Sequence, residues 1–357
     1  MQSTEYPSPQ GMRNATFDRR GTAPYTALNS GFNAESGMKV LVTGGAGFIG
    51  SHLCESLSAK GEQVFVLDDL STGSFQNIEH IKGLTCVVDT TMNKDIVRDL
   101  VREVDVVYHL AATVGVQLVV DEPIRTIVNN VWGTETILEE TCRYRRRLLI
   151  TSTSEVYGKG SKQVFGEDDD RVMGSTSLMR WSYAASKALD ESLALAYWFE
   201  KRHPVVIVRL FNTVGPRQTG RYGMVIPRFV AQALRNEDLT VYGDGKQTRC
   251  FCCVSDVVPT LVKLMDRADI CGEVFNIGSD HSISMAALAE RVIERTGSKS
   301  KLSFVPYDKA YGPGYEDMQH RMPSLEKIHN AVGFKPRFSL DEILDLVIAD
   351  TKKRLEI

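Results

Sequence analysis

The chain has 357 residues and carries 42 Lys and Arg against 45 Asp and Glu, a formal net charge of −3. With 43% apolar and 24% charged residues it has the proportions of a folded globular protein, which excludes disorder along its whole length. The balanced charge offers no field for nucleic acid or an anionic membrane surface, and no apolar run approaches the ~20 residues that span a bilayer.

Residues 1–37 are rich in Ser, Thr, Asn, Gly and Pro without a sustained apolar period, and read as a disordered extension. Met38 opens a short apolar strand, Lys39 to Thr43, that ends in glycines, and a helix follows from Ile49 to Lys60. Further strands are expected at 63–67, 84–88, 104–108, 147–152 and 205–210, with helical patterns between most of them. This alternation predicts an α/β fold with a doubly wound parallel sheet of the Rossmann type. After Phe211 the pattern loosens into short helices among Pro, Gly and Arg, with a return strand near 273–277. The expected division is therefore an extension (1–37), a Rossmann domain (38–210), and a smaller C-terminal lobe (211–357) with segments returning to the sheet. The seven cysteines show no paired Cys/His arrangement of a zinc site, so no metal is expected, and free thiols fit a reducing cytoplasm.

The first strand runs into Gly44-x-x-Gly47-Phe48-Ile49-Gly50, where the helix opens and Phe48 and Ile49 fall beside the cofactor. Glycines there allow a tight turn and close approach of backbone to a pyrophosphate, which the helix start attracts. Asp68, 18 residues beyond Gly50 at the end of the next strand, suits a ribose 2′-hydroxyl and disfavours a 2′-phosphate, which points to NAD; Asp69 competes for that role. Asp89, after the third strand, is a candidate for the adenine and equally a plain loop carboxylate. Farther on, Tyr183 and Lys187 stand four apart, on one helical face. A phenol ionises near pH ~10, and an adjacent ammonium together with a positive nicotinamide ring favours the phenolate, which accepts a hydroxyl proton.

These segments, together with His109-Leu110-Ala111-Ala112, Thr153-Ser154-Glu155-Val-Tyr-Gly and Arg209-Leu-Phe-Asn212-Thr-Val-Gly-Pro-Arg217, resemble the extended short-chain dehydrogenase/reductase family, in its nucleotide-sugar-modifying group. The resemblance implies an NAD-dependent enzyme that oxidises a UDP-sugar to a 4-keto intermediate, with Leu110, Ala111 and Ala112 against the cofactor. Ser154 stands where dehydratases of the family carry Asp, and Glu155 where simple 4-epimerases carry no acid. With Arg180-Trp-Ser-Tyr183 and the segment from Tyr311 to Pro323, this is similar to UDP-glucuronate decarboxylases and UDP-apiose/xylose synthases. The implied reaction is decarboxylation of UDP-glucuronate to UDP-xylose or a UDP-4-keto-pentose. The alternatives are 4-epimerisation, then 4,6-dehydration, and most remotely a non-catalytic NAD sensor or scaffold.

By the same resemblance Tyr183 is the base, Lys187 tunes it and Thr153 orients the sugar hydroxyl, while Ser154, Glu155 and Arg321 handle the C5/C6 end. Arg180, Asn212, Arg217, Arg228, Tyr242 and Arg249 are implied on the nucleotide and diphosphate, and Arg209 is expected to face the same cleft. A homodimer through a four-helix interface is implied, with Trp132, Leu195 and Trp198 candidates for its face.

Overall fold

A computed structural model describes residues 37–220, 223–311 and 316–356; all of the expected N-terminal extension but Gly37 lies outside the described residues. The central sheet has seven strands: β1 (Lys39–Thr43), β2 (Gln63–Asp68), β3 (Thr85–Val88), β4 (Val106–His109), β5 (Arg147–Thr153), β6 (Val205–Leu210) and β7 (Val274–Ile277). Their order across the sheet is 3-2-1-4-5-6-7. Every neighbouring pair is parallel. The strand expected at 104–108 begins two residues later, because Val104 caps the preceding helix and the Asp105 carboxylate accepts from the Lys39 backbone N–H at 3.0 Å.

The principal helices are α1 (Phe48–Ala59), α2 (Lys94–Glu103), α3 (Pro123–Arg143), α4 (Ser182–Lys201), α5 (Val225–Leu234), α6 (Val254–Met265), α7 (Met285–Thr296) and α8 (Leu340–Leu355). Side chains alternate across each strand, and both faces of the sheet are covered. Val40, Val42, Val64 and Val66 pack with Leu53 of α1 and Val257 and Leu261 of α6. Leu41, Leu67 and Val107 point the other way, onto Val97 and Val101 of α2, Ile137 of α3 and Ala194 of α4. That two-sided burial is why these strands read as unbroken apolar runs. A separate apolar cluster joins Val214, Phe229, Leu239, Leu288 and Leu344, from α5, α7, α8 and the strands beside them. Among the described residues no helix is long and apolar enough to cross a membrane.

Strand order reverses between β1 and β4, so the carboxyl ends of these two neighbours open a crevice at the place where doubly wound sheets take ligands.

Candidate active site

β1 ends at Thr43 and delivers the glycine loop into that crevice. Gly44 has φ +69°, and a Cβ on it would stand 2.8 Å from the Ala111 nitrogen. A Cβ on Gly50 would stand 2.1 Å from the Gly44 carbonyl oxygen, so the turn closes only on glycine. Gly47 caps α1 with no side chain, leaving the first-turn N–H groups without intrahelical acceptors and open to an anion. The Asp68 carboxylate accepts from the backbone N–H groups of Ala46 at 2.9 Å and Leu70 at 2.8 Å. Burial nevertheless raises its pKa. Asp69 accepts from its own turn, at Ser71 N and Oγ. Asp89 accepts from Thr90 N and Asn93 Nδ2.

A cavity of about 980 Å³ opens over this loop. Gly44, Gly47, Phe48, Ile49, Gly50, Asp68, Asp69, Asp89, Leu110, Ala111, Ala112 and Tyr183 all line it. Lys187 does not line it; the side chain is 2% exposed and paired with Asp190 at 2.9 Å. The glycine cradle, the open helix start and the carboxylate at the end of β2 fit a dinucleotide.

A second cavity of about 290 Å³ adjoins the first. Thr153, Tyr183, Leu210 and Asn212 line both, so the cavities meet at the Tyr183 phenol. The Thr153 side chain, at the end of β5, lies beside the Tyr183 phenol and favours its anion. Burial and the nearby Glu155 and Asp190 carboxylates push the Tyr183 pKa well up, so the phenol of the cofactor-free chain holds its proton. The Lys187 ammonium faces an aspartate, which offsets its charge.

Ser154, Glu155, Arg180, Asn212, Arg228, Tyr242, Arg249 and Arg321 line the smaller cavity. Glu155 bonds Arg180 at 2.5 Å and stands 3.5 Å from Arg321. Burial opposes its charge, but the two guanidiniums win and hold its carboxyl below the usual range. Asp317 bonds Arg249 at 2.8 Å and stands 3.6 Å from Arg180. Three cations thus face two anions, an excess of one positive charge among largely buried side chains. Arg321 donates to Asn212 Oδ1 at 2.9 Å, and its buried Nε has no hydrogen-bond partner among the described residues. Burial and Arg249 lower its pKa to about 10. Asn212 sits at φ +27° and donates to the Cys250 carbonyl, so both ends of its amide are engaged. Arg228 lies over the Tyr242 ring at 4.3 Å.

Not every arginine faces this cleft. Arg209 lines neither cavity: its guanidinium donates to both Glu191 oxygens, at 3.0 and 2.7 Å, and to the Tyr157 hydroxyl. Its partners come from a helix and a turn remote in sequence, so it serves as a buried tie. Arg217 lines only the larger cavity, bonded to Glu55 of α1 at 2.7 Å. Of the three residues expected on a dimer face, Trp132 is exposed, whereas Leu195 and Trp198 pack on the core beneath α4. Trp198 is held there by Gly272, where a Cβ would meet the indole at 2.2 Å. Asp317, within the motif from Tyr311 to Pro323, and Asp190, beside the Tyr183/Lys187 pair, were given no role by the sequence. Asp350, Lys353 and Arg354 of α8 also line the larger cavity, and no local pattern marks them.

The NAD dependent epimerase/dehydratase family matches residues 40–278. Over 306 residues the chain is 42% identical to the UDP-N-acetyl-alpha-D-glucosaminuronate decarboxylase of Bacillus cytotoxicus, covering 85% of this chain and 94% of that protein. Over 321 residues it is 37% identical to UDP-glucuronic acid decarboxylase 2 of Arabidopsis thaliana, covering 89% and 69%. Among solved structures, UDP-glucuronic acid 4-epimerase from Bacillus cereus, in complex with UDP-glucuronic acid and NAD, superposes with a TM-score of 0.79 at 30% identity, covering 89% of this chain and 100% of that one.

Proposed function

Since the chain belongs to the NAD dependent epimerase/dehydratase family, we propose that it decarboxylates a UDP-linked hexuronate through a 4-keto intermediate. UDP-glucuronate is the expected substrate. The 2-acetamido analogue named for the Bacillus relative belongs to the same class. One observation carries the reading: a buried cluster of Arg180, Arg249 and Arg321 around Glu155 and Asp317, with one net positive charge, lines the cavity that begins at Tyr183. A planar carboxylate matches the guanidinium fork, and the unpartnered Arg321 Nε is a donor awaiting an acceptor.

The glycine loop, Asp68 and the 110–112 turn would hold NAD in the larger cavity. When bound, it supplies the acceptor for the hydrogen leaving carbon 4 of the sugar. Tyr183 takes the proton of the 4-hydroxyl, and Thr153, beside the phenol, orients that hydroxyl. A ketone at carbon 4 makes the carbon 6 carboxylate a β-keto acid, which loses CO2 because the electron pair left on carbon 5 spreads into the carbonyl as an enolate. No base at carbon 5 is required. Arg321 and Arg180 hold the carboxylate. Glu155, kept ionised, holds both arginines and is not a proton donor in this state.

The test supplies NAD+ with UDP-glucuronate, its 2-acetamido analogue and UDP-galacturonate in turn and weighs the products. Loss of 44 mass units, that of CO2, supports the assignment. An isomer of unchanged mass replaces it with 4-epimerisation.

A homodimer and a cytoplasmic setting complete the proposal. Ile124, Ile127 and Trp132 on α3 and Leu189 and Phe199 on α4 are exposed apolar side chains on two helices packed together. All seven cysteines are free thiols, as a reducing compartment keeps them. Sedimentation of the wild type as a dimer and of Trp132→Glu as a monomer would bear out the interface.

A further inference from the structure

Lys187 is buried at 2% exposure with an aspartate, one helical turn along, as its partner. Lys187 Nζ bonds Asp190 Oδ2 at 2.9 Å, and Asp190 is 1% exposed. Asp190 Oδ1 makes no hydrogen bond of ordinary geometry, although it is buried. An ion pair so enclosed and incompletely satisfied contributes little to folding beyond what apolar side chains would. Its value lies in what it does to its neighbours.

The surroundings orient the carboxylate. The Thr134 hydroxyl, on α3, faces Asp190 and favours its anion. Thr134 Oγ1 also lies 3.1 Å from His109 Nε2, and His109 Nδ1 lies 2.8 Å from Thr43 Oγ1. Thr43 Oγ1 in turn accepts from the Ala111 N–H at 3.2 Å. Burial keeps the imidazole neutral, its pKa pushed down to about 3. Contacts thus run from the 110–112 turn and the end of β1, through His109 on β4, to Thr134 on α3, whose hydroxyl faces the counter-ion of Lys187.

We propose that Asp190 is a positioning residue for the acid–base step: its carboxylate fixes the Lys187 ammonium and offsets its charge, so that Lys187 acts on Tyr183 as half of a neutral pair. This rests on the reading of Tyr183 as the base. The charged and titratable groups around the pair are Tyr183 and Glu191 on α4 and His109 on β4. Across the cleft, Glu155 and Arg321 also act on the phenol. Of these groups Asp190 alone both touches Lys187 and raises the proton affinity of Tyr183.

Asp190→Asn keeps an oxygen for Lys187 but removes the charge. With saturating NAD+ and UDP-glucuronate as the probe, the acid limb of its kcat/KM profile moves to lower pH by about half a unit or more, with kcat on the plateau within about threefold of wild type. Asp190→Ala removes both charge and contact, and kcat falls about tenfold or more while KM changes less than threefold. Thr134→Val keeps the charge, and its acid limb stays in place. A folded Asp190→Asn whose acid limb is unmoved or rises overturns the proposal. Should Asp190→Asn melt too low to assay, Asp190→Ser reads the same limb by the same criterion. Tyr183→Phe separates the two levels. If it keeps full turnover, the base assignment itself fails. If it is inactive while the Asp190→Asn limb stands still, only the role of Asp190 fails.

Discussion

Arg321→Met is the most direct perturbation of the proposed carboxylate site. Methionine has a similar length and no charge, and Glu155 keeps Arg180 at 2.5 Å, so the ion cluster is not dismantled. The guanidinium is 8% exposed, and Asn212 takes only one of its donors as a full hydrogen bond. The unpartnered Nε and the side of Nη1 not facing Glu155 are left for substrate. A hydrogen bond to a charged group contributes about 1.5–3 kcal/mol, and a tenfold change in an equilibrium or rate constant is about 1.4 kcal/mol. Losing one such contact therefore raises the Kd for UDP-glucuronate by about 10- to 150-fold, and losing the paired contact lands at the upper end. Calorimetric titration of the NAD-loaded protein with UDP-glucuronate and with UDP-glucose reads the effect. UDP-glucose has a hydroxymethyl where the carboxylate stands, so its Kd should change less than about threefold. Equal weakening of both ligands would refute the carboxylate assignment and return Arg321 to the diphosphate. Arg321→Lys keeps the charge but loses the planar fork, and should fall between wild type and Arg321→Met.

Two buried histidines give the fold an acid sensitivity. Burial lowers His203 to about 4 and His109 to about 3, from an ordinary 6.5. A depressed folded pKa means that stability is full above the unfolded value and is lost as pH falls from there toward the folded value. Between pH ~7 and ~5 each site should cost about 2 kcal/mol, visible in urea denaturation, and His203→Gln should remove about half of the slope. Glu155, depressed by its arginines, adds a further decline below its ordinary 4.5, which Glu155→Gln should flatten. Gly50→Ala forces a Cβ to 2.1 Å from the Gly44 oxygen, so either the NAD affinity falls at least ~100-fold or the domain fails to fold; normal NAD binding by a stable variant would contradict the cradle. Asp68→Ser removes the acid at the ribose end of the larger cavity, and the preference for NAD+ over NADP+ in Kd should narrow by about tenfold.

Much of the site was legible because its signals are local. A glycine loop between a buried strand and a helix permits one backbone path, and Tyr183 and Lys187 share a helical face by spacing alone. The seven-strand parallel sheet followed from alternation of strand and helix, with an error of two residues at β4, where helix end and strand start share one apolar run. The arginines were less legible. A basic residue beside a motif looks alike whether it meets a substrate or a partner carboxylate, and that partner is set by topology. Glu191 reaches Arg209 because α4 packs across β5 and β6. Asp317 reaches Arg180 and Arg249 because the segment after residue 315 returns to the cleft.

By itself, then, the sequence determined the dinucleotide fold, the cofactor loop and the tyrosine–lysine pair, each written in periodicity or in the steric demands of glycine over a few adjacent residues. Tertiary structure decided the charges: that Arg209 is a buried tie, that Arg217 faces the larger cavity, and that Lys187 is offset by Asp190. Coulomb energies depend on distance and burial across elements far apart in the chain, so only the folded arrangement tells a free cation from a spent one.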